Sequence, residues 1–244
     1  IKSIHQKRYI RQLKGMLKKY ILLIILSFLL SASDFQEYIY DVEIKGISMI
    51  AGTVGMCVLK IENNENNEYQ IDILTKTTNL AKILYPYVDK IKLKVDNSFS
   101  LISMDQKISN KKEKTKIEVD KTEKIIKRNG RKLNFYSDSL FSPYSLIPLL
   151  RTKDLKINNE YFYEIFSSKK IKDILLKVLK SEEIKVPYGT FDCLNIKPIT
   201  AQNAIKNNGE LELWYTNDSN KIPIKIKLET KIGTFIMKLR EINN

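Results

Sequence analysis

Histidine is almost absent from this sequence: His5 is the single one among 244 residues. Everything after residue 5 therefore lacks Ser–His and Cys–His nucleophile pairs, imidazole-ligated zinc and imidazole acid–base catalysis. Glycine is scarce too, and the 8 present stand singly, so there is no glycine-rich phosphate loop. No apolar run reaches the ~18–20 residues a membrane-spanning helix needs. Cysteine is limited to Cys57 and Cys193, in GMCVLKI and TFDCLNI. An even count permits a disulfide in an oxidising compartment, and apolar neighbours equally suit two small buried thiols. Nothing in the sequence brings the two to the ~5.5 Å Cα separation a bridge requires.

What is present begins with a leader. Met16 opens MLKKYILLIILSFLLSAS, with two lysines, an apolar run of eleven residues from Tyr20 to Leu30, and Ser31-Ala32-Ser33 before Asp34. Basic start, short apolar core and small residues at the end mark a secretory signal peptide over 16–33, with a retained anchor as the alternative. Residues 1–15 read as an over-extended start. The formal charge of +14 falls to +7 once the seven cations before Asp34 are set aside, since no acidic residue accompanies them. The remaining lysines are scattered along strand-like stretches, as solvated faces are, so no nucleic-acid partner is expected.

Residues 34–244 read as a single β-rich domain: a large curved antiparallel sheet or barrel with one or two short helices. Alternating stretches follow one another from Glu37–Lys45 to the C-terminus, and Asn129-Gly130 between IIKR and RKLNFY is the strongest hairpin signal. Asn79–Leu84 reads as a turn or two of helix, and Ser142-Pro143 as the opening of another. The chain closes on GELELWYTNDSNKIPIKIKLETKIGTFIMKLREI, three alternating strands. A four-residue turn over Asn217–Asn220 would set Tyr215 opposite Ile222, Leu213 opposite Ile224 and Leu211 opposite Ile226. The other face would then pair Glu212 with Lys225 and Glu210 with Lys227. A second turn over Thr230–Gly233 sets Leu228 opposite Phe235 and Ile226 opposite Met237.

Catalytic and metal constellations are thin. Glu182 and Glu183 are adjacent on a strand and point to opposite faces. Glu210 and Glu212 share a face, each beside a lysine. Asn217–Asn220 lacks the spaced acidic ligands of a calcium loop and reads as a polar turn. No metal or cofactor is expected. Trp214 is out of pattern, an aromatic on the charged face: either an adjacent segment covers it or it meets a partner.

The run EEIKVPYGTFDCLNIKP, followed by GELELWYTNDSNKIPIKIKLETKIGTF, resembles the end of the domain-of-unknown-function 3108 family. YIYDVEIKGISMIAGTVGMCV resembles its opening, and SLFSPYSLIPLLRT its middle. Tyr215-Thr216 before Asp218, and Lys221 in place of a commoner arginine, depart from the family pattern. The resemblance implies an exported, β-rich, periplasmic or envelope-associated bacterial protein, akin in shape to lipoprotein carriers, with no catalytic residues to transfer. Two functional classes follow. In the first, a non-catalytic module binds a lipid, acyl chain or envelope protein through its apolar sheet face and a short lid: Tyr144, Leu146, Leu213, Tyr215, Ile224, Ile226, Phe235 and Met237. In the second, an enzyme acts on envelope polysaccharide or peptide through carboxylates or a Ser–Lys pair.

Overall fold

In the computed structural model, residues 35–45, 52–64, 66–109, 113–167, 169–199, 211–230 and 233–243 are described. The proposed start at 1–15, the leader at 16–33 and Glu210 lie outside them. Residues Gln36–Asn244 form one compact unit. Its strands are β1 (Phe35–Lys45), β2 (Thr53–Asn64), β3 (Glu68–Thr77), β4 (Val88–Asp96), β5 (Leu101–Ile108), β6 (Glu113–Asp120), β7 (Ile125–Arg128) and β8 (Arg131–Asn134). They continue with β9 (Leu140–Phe141), β10 (Glu160–Ser167), β11 (Lys170–Val186), β12 (Gly189–Pro198), β13 (Leu211–Thr216), β14 (Pro223–Thr230) and β15 (Gly233–Asn243). Among the described residues two short helices interrupt them, α1 (Asn79–Leu84) and α2 (Leu146–Arg151).

Among the described residues all fifteen strands join one sheet, in the order β8-β7-β6-β5-β4-β3-β2-β1-β15-β14-β13-β12-β11-β10-β9. Antiparallel pairing runs from β2 to β8 and from β10 through β15 to β1, while β9 lies parallel to β10. The sheet curls without closing. Side chains bridge the seam between its edge strands instead. The buried Glu164 carboxylate of β10 accepts the backbone N–H groups of Tyr136 (3.0 Å) and Ser137 (2.9 Å) and the Ser137 hydroxyl (2.7 Å). Ser100, at the β4–β5 turn, exchanges hydrogen bonds with the Leu140 backbone at 3.2 and 3.3 Å.

The strands form where alternation demands them. In β4, VDKIKLKVD, Asp89, Ile91, Leu93 and Val95 turn inward and the lysines between them outward. Asn129 and Gly130 both take positive φ (45° and 83°), as a two-residue hairpin turn requires, and Arg128 faces Arg131. Gly55 has a steric reason to be glycine. A Cβ there would stand 2.5 Å from the Lys76 carbonyl oxygen of the neighbouring strand.

The C-terminal meander keeps its expected faces on a corrected register. The β14–β15 pairs Leu228/Phe235 and Ile226/Met237 are as expected. Across β13–β14, however, Leu213 faces Ile226, Glu212 faces Lys227 and Tyr215 faces Pro223. Two single-residue effects add. The turn is one residue longer than four, because the Asp218 carboxylate accepts from Thr216 Oγ1 and from the N–H of Asn220 and Lys221, and Thr216 N–H then bonds Ile222. A bulge between Trp214 and Tyr215 adds the second. Two slips of one restore the parity, so the apolar face survives intact.

Candidate functional site

The inner face of the sheet is built in rows by this register. One row runs Val42, Met237, Ile226, Leu213, Ile196 and Val178 across six strands. A second, one pleat nearer the Lys45 end of β1, runs Ile44, Phe235, Leu228 and Leu211. Toward the Gln36 end, Tyr40 and Tyr215 are fully buried. Burial therefore grades along the strands: complete at the Gln36 end, partial at Ile44, Phe235, Leu228 and Leu211.

Helix α2 fills the buried end. Leu146, Ile147, Pro148, Leu149 and Leu150 are all buried, so the segment expected as a lid is an internal plug. The Tyr215 hydroxyl donates to Ile147 O at 3.0 Å, and the Tyr40 hydroxyl to Pro223 O at 2.9 Å. Arg151 fastens the last turn of α2. Its guanidinium donates to Asn220 O from Nε (3.3 Å) and Nη2 (3.2 Å) and to the Gln36 amide oxygen from Nη1. It also lies 5.6 Å over the Tyr38 ring, within cation–π range. Burial pushes the Tyr38, Tyr40 and Tyr215 hydroxyls up from their usual pKa, so all three are neutral donors at any physiological pH.

The same inner face carries a buried polar cluster nearer the partly buried end. The Asp89 carboxylate accepts from Gln106 Nε2 at 3.1 and 3.0 Å and from the Tyr87 hydroxyl at 3.2 Å. Burial raises its pKa above the ordinary aspartate value, against the lowering effect of those two donors. Thr75 Oγ1 donates to the Cys57 sulfur at 3.5 Å, and Thr75 is the register partner of both Cys57 and Asp89. The Tyr163 hydroxyl is buried with no partner among the described residues, and desolvation pushes it up to about 12.

Of the eight side chains expected to form an apolar site, Leu146, Leu213, Tyr215, Ile224 and Ile226 are buried, and Tyr144, Phe235 and Met237 are half-buried. The cysteines require a correction. Cys57 and Cys193 are buried free thiols. Four strands lie between β2 and β12 in the sheet order. Burial holds the Cys57 thiol at about 11 and the Cys193 thiol at about 12. Trp214 is covered: 4% exposed, its Nε1–H donates to Glu182 Oε1 at 2.7 Å, and Lys225 Nζ sits 4.1 Å above the ring. Arg151 and the Asp89 cluster had not been anticipated. Asp89 was findable, being in phase with Ile91, Leu93 and Val95; Arg151 was not, because its partners are backbone and amide groups far away in sequence.

A β-barrel-like protein of the domain-of-unknown-function family DUF1849 from Brucella abortus superposes with TM-score 0.58 at 12% identity, over 86% of this chain and 97% of that one. A candidate lipoprotein from Parabacteroides distasonis gives TM-score 0.31 at 12% identity, over 85% of this chain and 94% of that one. A candidate exported protein with a YmcC-like fold from Bacteroides fragilis gives 0.33 at 8%, over 86% and 94%. No curated protein matches. The family model for the proteins of unknown function DUF3108 matches residues 39–240, and the chain belongs to that family.

Proposed function

We propose that this protein is an exported, non-catalytic module of the bacterial envelope that takes up an apolar ligand, a lipid or acyl chain, on the concave face of its sheet. Export rests on the basic, apolar and small-residue order from Met16 to Ser33. One observation carries the ligand reading. The apolar lining does not stop where α2 stops, but continues through Ile44, Phe235, Leu228 and Leu211, which are only half-buried. A ligand would meet Phe235, Met237 and Tyr144 first and extend toward Leu146, Leu213, Tyr215, Ile224 and Ile226 as α2 yields. Concave, mostly apolar surfaces with a few polar groups are how proteins hold such molecules, and Asp89, Gln106 and Tyr87 supply the polar groups here.

Mass spectrometry of organic extracts from natively purified protein, with a lipid-addition thermal shift, tests this reading. A defined lipid present at near-stoichiometric amount, or a clear rise in Tm on adding it, supports uptake. Clean extracts with no shift for any phospholipid or fatty acid defeat it. A second reading has one observation in its favour: Asp89 is a buried carboxyl whose pKa burial raises, the direction in which a general acid is tuned. Hydrolysis of an envelope glycan or peptide that is lost in Asp89→Asn would establish it.

A further inference from the structure

Helix α1 and its flank expose apolar side chains in a group. Leu80 is 74% exposed, Ile83 77%, Leu84 66% and Tyr85 73%. Leu80, Ile83 and Leu84 stand at i, i+3 and i+4, one face of the helix, while Ala81 is buried on the other and α1 packs against β2. The base of this excursion is pinned. Thr78 N–H bonds Val54 O at 3.0 Å, Thr77 N–H bonds Tyr87 O at 3.1 Å, and Tyr87 N–H bonds Thr77 Oγ1 at 3.0 Å. The apolar face is thus presented on a fixed mount at the end of the strands.

The charge at the same end of the neighbouring strands is out of pattern. In mid-sheet the outer face alternates perfectly across five strands: Lys60, Asp72, Lys92, Asp105, Lys116. One pleat nearer α1 the corresponding row reads Val58, Leu74, Lys90, Lys107, Lys114, its three lysines each directly opposite the next and all exposed. Like charges in direct cross-strand register destabilise a sheet. None of these three makes an ion pair among the described residues, and Glu113, the carboxylate next in sequence, lies on the opposite side of the pleat. Lys82 adds a further exposed cation on α1 itself.

From this juxtaposition we infer that the α1 end is a membrane-surface docking site. Leu80, Ile83, Leu84 and Tyr85 enter the headgroup boundary of an anionic bilayer, and Lys90, Lys107 and Lys114 face its negative charge. Exposed apolar patches of this kind mark interaction sites, and aromatic residues with an apolar body and a polar tip favour the bilayer interface. The occupant is set by charge complementarity: a run of unneutralised lysines beside an apolar tip fits an anionic lipid surface, where each cation strengthens binding roughly fivefold. The inference stands on α1 and the lysine row alone, and does not require a ligand on the concave face.

Vesicle co-flotation tests it, with purified protein against phosphatidylcholine vesicles and against vesicles containing 30% phosphatidylglycerol. Wild type should float with the anionic vesicles, weakly with the neutral ones, and less at raised salt. Lys90→Gln/Lys107→Gln/Lys114→Gln should lose roughly a hundredfold in affinity for the anionic vesicles. Leu80→Ser/Ile83→Ser/Leu84→Ser should lose at least tenfold on both, with an unchanged melting curve, because those side chains are already in water. All variants carry the same N-terminus, so any contribution of the leader cancels in the ratios. Equal binding by wild type and both triple variants, or none by wild type, overturns the inference. Self-association abolished by the serine variant, without vesicle binding, overturns it in favour of a second copy of the chain.

Discussion

Replacing Trp214 by alanine should be among the most damaging single changes on the outer face of this sheet. The ring is 4% exposed, its N–H donates to the Glu182 carboxylate at 2.7 Å, and the Lys225 ammonium lies 4.1 Å above it. Truncating a buried aromatic costs about 3–5 kcal/mol, to which the lost cation contact adds about 0.5–1 kcal/mol. The Glu182 side chain retains 31% exposure, so it rehydrates when its partner leaves and adds little further cost. The expected loss is about 4 kcal/mol, or roughly 8–16 °C in Tm for a domain of this size. Trp214→Phe separates the components: it keeps most of the packing and loses the charge-assisted bond, for about 1–2 kcal/mol. The hydrogen bond from Trp214 is the main influence holding Glu182 below the usual glutamate range, with Lys180 second. A lowered carboxylate contributes stability that is present above its unfolded pKa and lost as pH falls through the folded one, so the phenylalanine variant should lose less on acidification than wild type. Urea unfolding followed by emission of this single tryptophan reads the wild-type side, circular dichroism the variants. An alanine variant within 1 kcal/mol of wild type, or wild-type emission like that of free indole, would refute the reasoning.

Gly55→Ala should destabilise by about 1–3 kcal/mol, since its Cβ would meet Lys76 O at 2.5 Å and strand backbone cannot yield cheaply; thermal melts check it. Thiol titration at pH 8 should find almost no reactive thiol in the folded protein and two after denaturation without reductant, because burial holds Cys57 near 11 and Cys193 near 12. Asp89→Asn should change the pH dependence of stability. A raised folded pKa means the folded protein keeps its proton where the unfolded chain has lost it, so this group's contribution declines as pH rises from the ordinary carboxylate value through the raised one. Urea midpoints of wild type and variant should therefore diverge across that window in the variant's favour, and parallel curves would count against a buried carboxyl there.

Legibility from sequence followed the range of the forces involved. Faces were readable, because a period of two is local: β4, β3 and the last three strands put their apolar residues where alternation says they must. The Asn129-Gly130 turn was readable because its dihedrals belong to those two residue types. The β13–β14 register was not, since it depends on an Asp218 cap and a bulge that alternation does not record. The two-residue β9 is too short to carry a pattern and exists because Glu164 and Ser100 hold the segment around it. Helix α2 showed its helical character but not its depth. Its burial comes from tertiary partners distant in sequence, among them Tyr215 of β13 on Ile147 O and Gln36 and Tyr38 of β1 at Arg151.

The two ends of the sheet have been given opposite work by side chains of different kinds. At the Gln36 end, Arg151, Gln36, Asn220 and the Tyr215 hydroxyl tie α2 into the interior with directional bonds, so opening that end means breaking several hydrogen bonds at once. At the other end half-buried Ile44, Leu228 and Phe235 line the face through apolar contact, with the Asp89, Gln106 and Tyr87 hydrogen bonds further along the same face, and α1 presents apolar side chains outward at the end of the strands that also carries the lysine row. Non-directional contacts can be exchanged for those of a hydrocarbon chain at small cost, because one apolar neighbour replaces another. An apolar ligand entering this molecule would therefore come in at the α1 end. If α1 rests on a bilayer, that entrance faces the hydrocarbon from which such a ligand would be drawn. Leu80→Ser/Ile83→Ser/Leu84→Ser should then slow lipid transfer from vesicles while leaving uptake from detergent micelles unchanged. Equal slowing from both sources would separate the docking site from the entrance and break the link between them.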